Sequence, residues 1–190
     1  GPRTAEPAII AWLSVFGTAI VLGAVVVGLV SVLRSIARED PLTGLPNRRM
    51  WDERFEEEME RSARSGTALS VVMVDLDGFK AVNDAGGHEA GDRILQDIAR
   101  VWRGVVRGGG NFLARLGGDE FCLLAPGSDE LGARALAKRL ADSLPQDISA
   151  SIGVATWDRS EGASDLLRRA DRAMYLNKRH RRRGAGPSST

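Results

Sequence analysis

The sequence predicts an α/β (α+β) fold: a mixed sheet with an antiparallel hairpin, flanked by helices and preceded by one N-terminal transmembrane helix. Three observations predict it. Apolar runs of strand length alternate with segments whose apolar residues recur at helical spacing. Two of those runs, 111–116 and 121–124, are separated by little more than Gly117-Gly118. Such a pair supplies the positive φ angles of a tight turn at no steric cost, which reads as a β-hairpin. Residues 8–33 carry no charge and are dominated by Ile, Val, Leu, Ala and Gly, whereas a membrane span needs about 20 such residues. A core helix of a domain this size is rarely so long and apolar on every face.

From the N-terminus, the chain opens Gly1-Pro2 without an initiator methionine and is expected to be a fragment or a processed product. The main competitor to a membrane span is a signal peptide, which requires a basic start, a shorter apolar core and a small-residue cleavage site. The apolar run instead ends in Leu33-Arg34-Ser35-Ile36-Ala37-Arg38, a stop-transfer flank. Arg34, Arg38, Arg48 and Arg49 outweigh Arg3 on the other side, so the positive-inside rule puts everything after Leu33 in the cytoplasm and the span in the inner membrane. Asp40-Pro41 stops any helical continuation, because the residue before proline disfavours helical geometry.

The next segment, Pro41-Leu42-Thr43-Gly44-Leu45-Pro46-Asn47, is turn chemistry. Asn47 N-caps a helix whose apolar face is Trp51, Phe55 and Met59. Residues 69–76 contain the unbroken run Val71-Val72-Met73-Val74 and read as a central buried strand. A short helix over 79–84, a Gly86-Gly87 break and a longer helix from Glu89 follow. That longer helix presents Ile94, Leu95, Ile98, Val101, Trp102 and Val105, and Gly108-Gly109-Gly110 ends it. Ser128 is expected to cap a helix with Leu131, Leu136, Leu140 and Leu144 inward. Residues 148–157 form a strand, and Ser164 is expected to cap a last helix carrying Leu167, Ala170 and Met174. The boundaries are then 1–7 a flank, 8–33 the transmembrane helix, 34–47 a linker and lead-in, 48–183 the folded domain, and 184–190 a disordered tail.

Composition narrows the function. The formal net charge of the 190 residues is +1, so nothing in it points to nucleic acid. The single cysteine, Cys122, excludes a disulfide framework and reads as a buried small hydrophobe. The informative residues are acidic. Asp75 and Asp77 end the buried strand, and Asp119 and Glu120 follow the Gly117-Gly118 turn. Carboxylates at such places hold hard cations through oxygen. Phe79 and Lys80 come next at a helix start, where free N–H groups bind phosphate oxygens and a lysine adds mobile charge. A divalent metal and a phosphate-bearing ligand are the inference.

These segments resemble a known family. Gly117-Gly118-Asp119-Glu120-Phe121 is similar to the signature of the GGDEF domain, the diguanylate cyclase family, which condenses two GTP into cyclic di-GMP. Three further matches occur in order: Asp40-Pro41-Leu42-Thr43-Gly44-Leu45-Pro46-Asn47; Asp75-Leu76-Asp77-Gly78-Phe79-Lys80 through His88-Glu89-Ala90-Gly91-Asp92; and Ala170-Asp171-Arg172-Ala173-Met174-Tyr175. The resemblance spans roughly residues 40–182 and implies a nucleotidyl-cyclase, palm-like GGDEF domain over 48–183.

It further implies that Asp75, the carbonyl of Leu76 and Asp119 bind Mg²⁺, with Mn²⁺ as the alternative. Glu120 completes the acidic cluster, either as a metal contact or as the group drawing the proton from the ribose 3′-OH. Asn83 and Asp92 bind the guanine edge. Phe79 and Lys80 lie at the triphosphate, with Lys80 offsetting transition-state charge. His88 lies near the nucleotide, Gly117 and Gly118 leave room for it, and Lys178 and Arg182 reach its phosphates. One domain holds one GTP, so the active form is a symmetric homodimer, joined through these domains and through the membrane helix. The alternative is a catalytically silent module that binds GTP or cyclic di-GMP and regulates a partner.

Two departures stand out. Many relatives carry an inhibitory Arg-x-x-Asp product site five residues before the signature. Here Gly108 and Asn111 hold those positions, so no product inhibition through it is expected. Relatives also continue into an apolar edge strand after the last helix, which Arg183-Gly184-Ala185-Gly186-Pro187 does not provide.

Overall fold

The computed structural model describes residues 5–36 and 38–184. Two bodies divide at Ala37/Arg38. The first is one helix, α1 (Ala5–Ile36, 32 residues). At 1.5 Å per residue it is about 48 Å long. Its described apolar side chains, among them Trp12, Phe16, Ile20, Leu22 and Leu29, are all exposed, as binary pattern without a polar face requires. Among the described residues no helix is long and apolar enough to cross a membrane.

The second body is built from α2 (Arg48–Ser65), β1 (Leu69–Asp77), α3 (Phe79–Gly86), α4 (His88–Val105), β2 (Phe112–Gly117), β3 (Glu120–Pro126), α5 (Glu130–Asp142), β4 (Ser149–Thr156) and α6 (Ala163–Gly184). The four strands are ordered β2-β3-β1-β4, and every neighbouring pair is antiparallel. The expected mixed sheet is therefore corrected. Helices do alternate with strands, but each crossover skips a place: α3 and α4 carry the chain from β1 past β3 to β2, and α5 carries it from β3 past β1 to β4. Parallel strands are thus never adjacent, which is the split βαβ arrangement.

Helices cover both faces of the sheet, which is why β1 reads as a continuous apolar run and not as an alternating one. Val72, Val74 and Leu76 pack with Leu95, Ile98 and Trp102 of α4 and Leu136 and Leu140 of α5. Leu69, Val71 and Met73 pack with Trp51 and Phe55 of α2 and Leu166, Ala170 and Met174 of α6. Trp102 meets Phe121 edge-on at 5.0 Å between centroids, and its indole N–H donates to the Leu140 carbonyl at 3.0 Å. One contact has no side chain in it. A Cβ on Gly153 of β4 would lie 2.0 Å from the Ala170 carbonyl oxygen and 2.2 Å from the Met174 nitrogen, so α6 rests backbone-to-backbone on the strand.

Asn47 caps α2 as expected, accepting from the Met50 N–H at 3.1 Å. Other local expectations are corrected. The cap of α5 is Asp129, accepting from Gly132 at 2.9 Å, one residue beyond Ser128. Leu131 is 78% exposed, because it falls in the first turn of α5 ahead of the stripe of Ala133, Leu136, Ala137 and Leu140 that faces the sheet. Val101 is likewise exposed. In α6, which starts at Ala163 before Ser164, Leu166 is fully buried and Leu167 only partly so. Gly184, placed with the tail by sequence, ends α6. Residues 185–190 of that tail lie outside the described residues.

Candidate functional site

Register decides which way the acids point. Side chains alternate along a strand, so Asp75 and Asp77 continue the Leu69, Val71, Met73 face of β1 toward α6. Asp75 pairs across the sheet with Glu120 of β3 and Ser151 of β4, and directly opposite residues share a face. Asp75 is only 8% exposed. Buried carboxylates require partners, and here the partner is Lys178 of α6, whose Nζ lies 2.5 Å from Oδ1. Asp77 accepts from Ser149 Oγ at 3.0 Å, Ser151 Oγ at 2.6 Å and Arg181 at 3.1 Å. With its oxygens engaged by β4 and α6, Asp77 is structural.

The β2–β3 turn brings the remaining acids. Gly117 has φ 149° and Gly118 φ 51°, so Asp119 and Glu120 leave a turn that side chains rarely allow. The Asp119 carbonyl accepts from the Leu76 N–H at 3.3 Å, tying the turn to the end of β1. Burial raises the Asp119 carboxyl above its ordinary value, and the neighbouring Asp75 charge raises it further against the opposing pull of Lys178 and Arg115. Two carboxylates that repel beside an all-oxygen donor set fit a hard cation. Among the described residues no group of three or more His, Cys, Asp and Glu is gathered to hold a metal alone.

Sequence reasoning missed the brace behind this turn. Arg115 donates through Nε and a terminal nitrogen to the Gly118 carbonyl at 2.9 and 2.7 Å. Its other nitrogen reaches Asp40 at 2.8 Å. Asp40 also accepts from Thr43 through N–H and Oγ. Burial raises the Asp40 carboxyl, but the bonds from Thr43 and Arg115 outweigh it and hold the group below its ordinary value. The signal was available: a basic residue two places before Gly117, and an acid opening the turn at 40–47.

Other expected residues are distributed as follows. Phe79 is buried in the core with α4 residues and the sheet, so its ring belongs to the core. Lys80, His88 and Asp92 are exposed and Asn83 is half-buried. Among the described residues none of these four side chains has a hydrogen-bond or ion-pair partner. Lys178, Arg181 and Arg182 line a cavity of about 330 Å³ with Asp77, Gly78 and Ser149. Arg182 makes no ion pair there, and Arg181, which sequence reasoning passed over, takes Asp77 instead. The spacing of Lys178 and Arg181 on α6 against Asp75 and Asp77 on β1 was the clue. Gly108 and Asn111 lie between α4 and β2, where Asn111 donates to the Val106 carbonyl at 3.3 Å. Cys122 is fully buried and its thiol is pushed far up by that burial, so it is inert.

Comparison with known proteins gives this arrangement a family. The model of the diguanylate cyclase GGDEF domain matches residues 37–184. Diguanylate cyclase DgcP of Pseudomonas aeruginosa is 38% identical over 156 residues, covering 77% of this chain and 23% of DgcP. The bifunctional diguanylate cyclase/cyclic di-GMP phosphodiesterase MucR of the same organism is 40% identical over 162 residues, 80% of this chain and 24% of MucR. The chain thus spans about a quarter of these relatives' length. Among solved structures, diguanylate cyclase SiaD of Pseudomonas aeruginosa, in complex with its activator SiaC, superposes with a TM-score of 0.72 at 35% identity, covering 93% of this chain and 71% of SiaD. The split βαβ sheet, the acids at its β1–β3 end and the match over 37–184 agree, and the chain belongs to the GGDEF family of diguanylate cyclase domains.

Proposed function

We propose that the chain is a diguanylate cyclase, condensing two GTP into cyclic di-GMP with release of two pyrophosphates. The observation that carries this reading is the acid cluster at the β1–β3 end, with Asp75 opposite Glu120 and Asp119 in the adjoining β2–β3 turn. In it, Asp75, the Leu76 carbonyl and Asp119 would hold Mg²⁺ or Mn²⁺, with Glu120 beside them. The ion supplies charge neutralisation at the phosphates and a lowered pKa for the 3′-hydroxyl.

The chain's own groups do the rest. Asn83 and Asp92 would hold the base; a carboxylate accepting from N1–H and the 2-amino group suits guanine and rejects adenine. Lys80, Lys178 and Arg182 would bind the triphosphate, and Gly117-Gly118 would admit it. His88 would stand near the nucleotide. The ribose 3′-oxygen of one GTP bonds to the α-phosphorus of the other, the bond from that phosphorus to the bridging oxygen breaks, and pyrophosphate leaves. Glu120 would take the hydroxyl proton. Because each domain would contribute one GTP, two copies must face each other as a homodimer. Residues 8–33 would anchor the chain in the inner membrane with the domain in the cytoplasm, joining the two copies through the span.

The test is incubation of the purified chain with GTP and Mg²⁺ in lipid, with mass spectrometry for cyclic di-GMP and pyrophosphate. Product that vanishes in Asp119→Ala supports the enzyme. The Lys178–Asp75 pair at 2.5 Å favours one second reading, since Lys178 already neutralises a carboxylate the metal requires. On that reading the domain binds GTP or cyclic di-GMP without turnover and regulates a partner. Bound GTP with no product would assign it.

A further inference from the structure

The α3–α4 junction contains a volume that a side chain at position 91 would fill and that another residue uses. Asn83 sits in the last turn of α3, where its backbone carbonyl accepts from the Gly87 N–H at 2.9 Å. Gly91 sits in the first turns of α4 and is buried. A Cβ built on Gly91 would lie 2.0 Å from Asn83 Oδ1, 3.0 Å from its Cγ and 3.0 Å from Phe79 Cζ. The Asn83 carboxamide therefore occupies the space that any side chain at 91 would take. The buried Phe79 ring bounds the same space. Asp92, the next residue, is exposed and without a partner among the described residues. The missing side chain thus seats a half-buried, unpartnered amide against the same turn of α4 that bears a free carboxylate.

We infer that Gly91 is a positioning residue for base recognition, holding the Asn83 amide beside Asp92 so that the two read one purine edge together. This rests on the reading of Asn83 and Asp92 as the guanine contacts. The colliding atom is the tip of a rotatable side chain. Alanine at 91 is therefore accommodated by turning Asn83 away, with the Phe79 ring yielding slightly. The fold is retained, and a helix-interior glycine is replaced by the best helix former. Stability and recognition then move in opposite directions, whereas a glycine with a purely structural role would lose both together.

The experiment compares the chain with Gly91→Ala, Asn83→Ala and the double variant. It measures affinity for a non-hydrolysable GTP analogue and for its ATP counterpart, thermal midpoints, and the Asn83 side-chain amide resonances in nucleotide-free protein. The expected result is a roughly tenfold loss of GTP-analogue affinity in Gly91→Ala, narrowed preference over the ATP analogue, an unchanged or raised midpoint, and shifted Asn83 resonances. In the Asn83→Ala background, Gly91→Ala then changes affinity no further. Unshifted resonances, or affinity losses that multiply in the double variant, overturn the inference while leaving the cyclase reading intact. Resonances that shift in a set of four proteins equally blind to both nucleotides overturn the guanine reading, and with it the recognition role.

Discussion

Helix α2 and the α3–α4 pair are both rich in polar residues, and α4 too closes Glu89 on Arg93 and Asp97 on Arg100, but the groups around the α3–α4 junction are treated differently from those of α2. On α2 the charges close on one another: Arg49 with Glu53 at 3.1 Å, Arg54 with Glu58 at 2.7 Å, Arg61 with Glu58 at 3.3 Å and Arg64 with Glu60 at 3.4 Å. Around α3, α4 and the signature turn, Lys80, Asn83, His88, Asp92 and Glu120 have no such partners among the described residues. Exposure alone explains a solvated lysine or aspartate. It does not explain the half-buried Asn83 amide, or Asp119, which burial and a neighbouring carboxylate raise above its ordinary value. Pairs within a helix serve the helix, each worth about 0.2–0.5 kcal/mol; on the proposed reading, the groups left open around the junction would meet the nucleotide.

The difference can be broken at several points. Asp75→Ala or Asp119→Ala is expected to reduce cyclic di-GMP formation by at least about a thousandfold. Glu53→Ala on α2 leaves turnover unchanged and shifts stability by no more than about 0.5 kcal/mol. Equal effects from the two regions in a coupled turnover and denaturation assay would erase the distinction. Gly153→Ala drives a Cβ into the backbone of α6 and should cost about 3 kcal/mol in urea unfolding, against the unchanged or raised midpoint expected of Gly91→Ala.

Arg115→Ala strips the Gly118 carbonyl and Asp40 of their shared partner, and a loss of about 2 kcal/mol is expected. Its pH signature is defined. Because Asp40 is held below its ordinary 3.8, its contribution is fully present above the unfolded value and is lost as pH falls through the lower folded one. Asp40→Asn should flatten that acid limb in a stability-versus-pH series, and an unchanged limb would discount the brace. The smallest effect belongs to Leu131→Gln, within about 0.5 kcal/mol, since that side chain already faces water.

The sequence disclosed most of the elements because periodicity and turn chemistry are local. Asn47, the Gly-Gly turn and the apolar run of β1 each announce their own conformation. What it withheld depends on partners distant along the chain. Strand runs separated by helices suit parallel and antiparallel sheets alike, so the skipped places in the strand order were invisible. The acids were legible as chemistry, yet their pointing toward α6 follows only from register. Arg115 looked like one more basic residue until Asp40, 75 positions away in sequence, closed on it. Arg181 was passed over in favour of its neighbour for the same reason, and the volume shared by Gly91 and Asn83 has no signature in either residue alone.

The backbone-to-backbone seating of α6 on Gly153 has a kinetic consequence. Lys178 projects from a helix that cannot slide or tilt without driving its own peptide groups into β4. Releasing Asp75 therefore needs no displacement of secondary structure, only the breaking of one part-buried ion pair and rotation about the single bonds of one lysine side chain. On the proposed reading, a cation binding at Asp75 would have only that side chain to displace. Stopped-flow metal binding to the nucleotide-free protein should accordingly rise linearly with metal concentration, and a plateau at a slow limiting rate would show that something larger than Lys178 has to move.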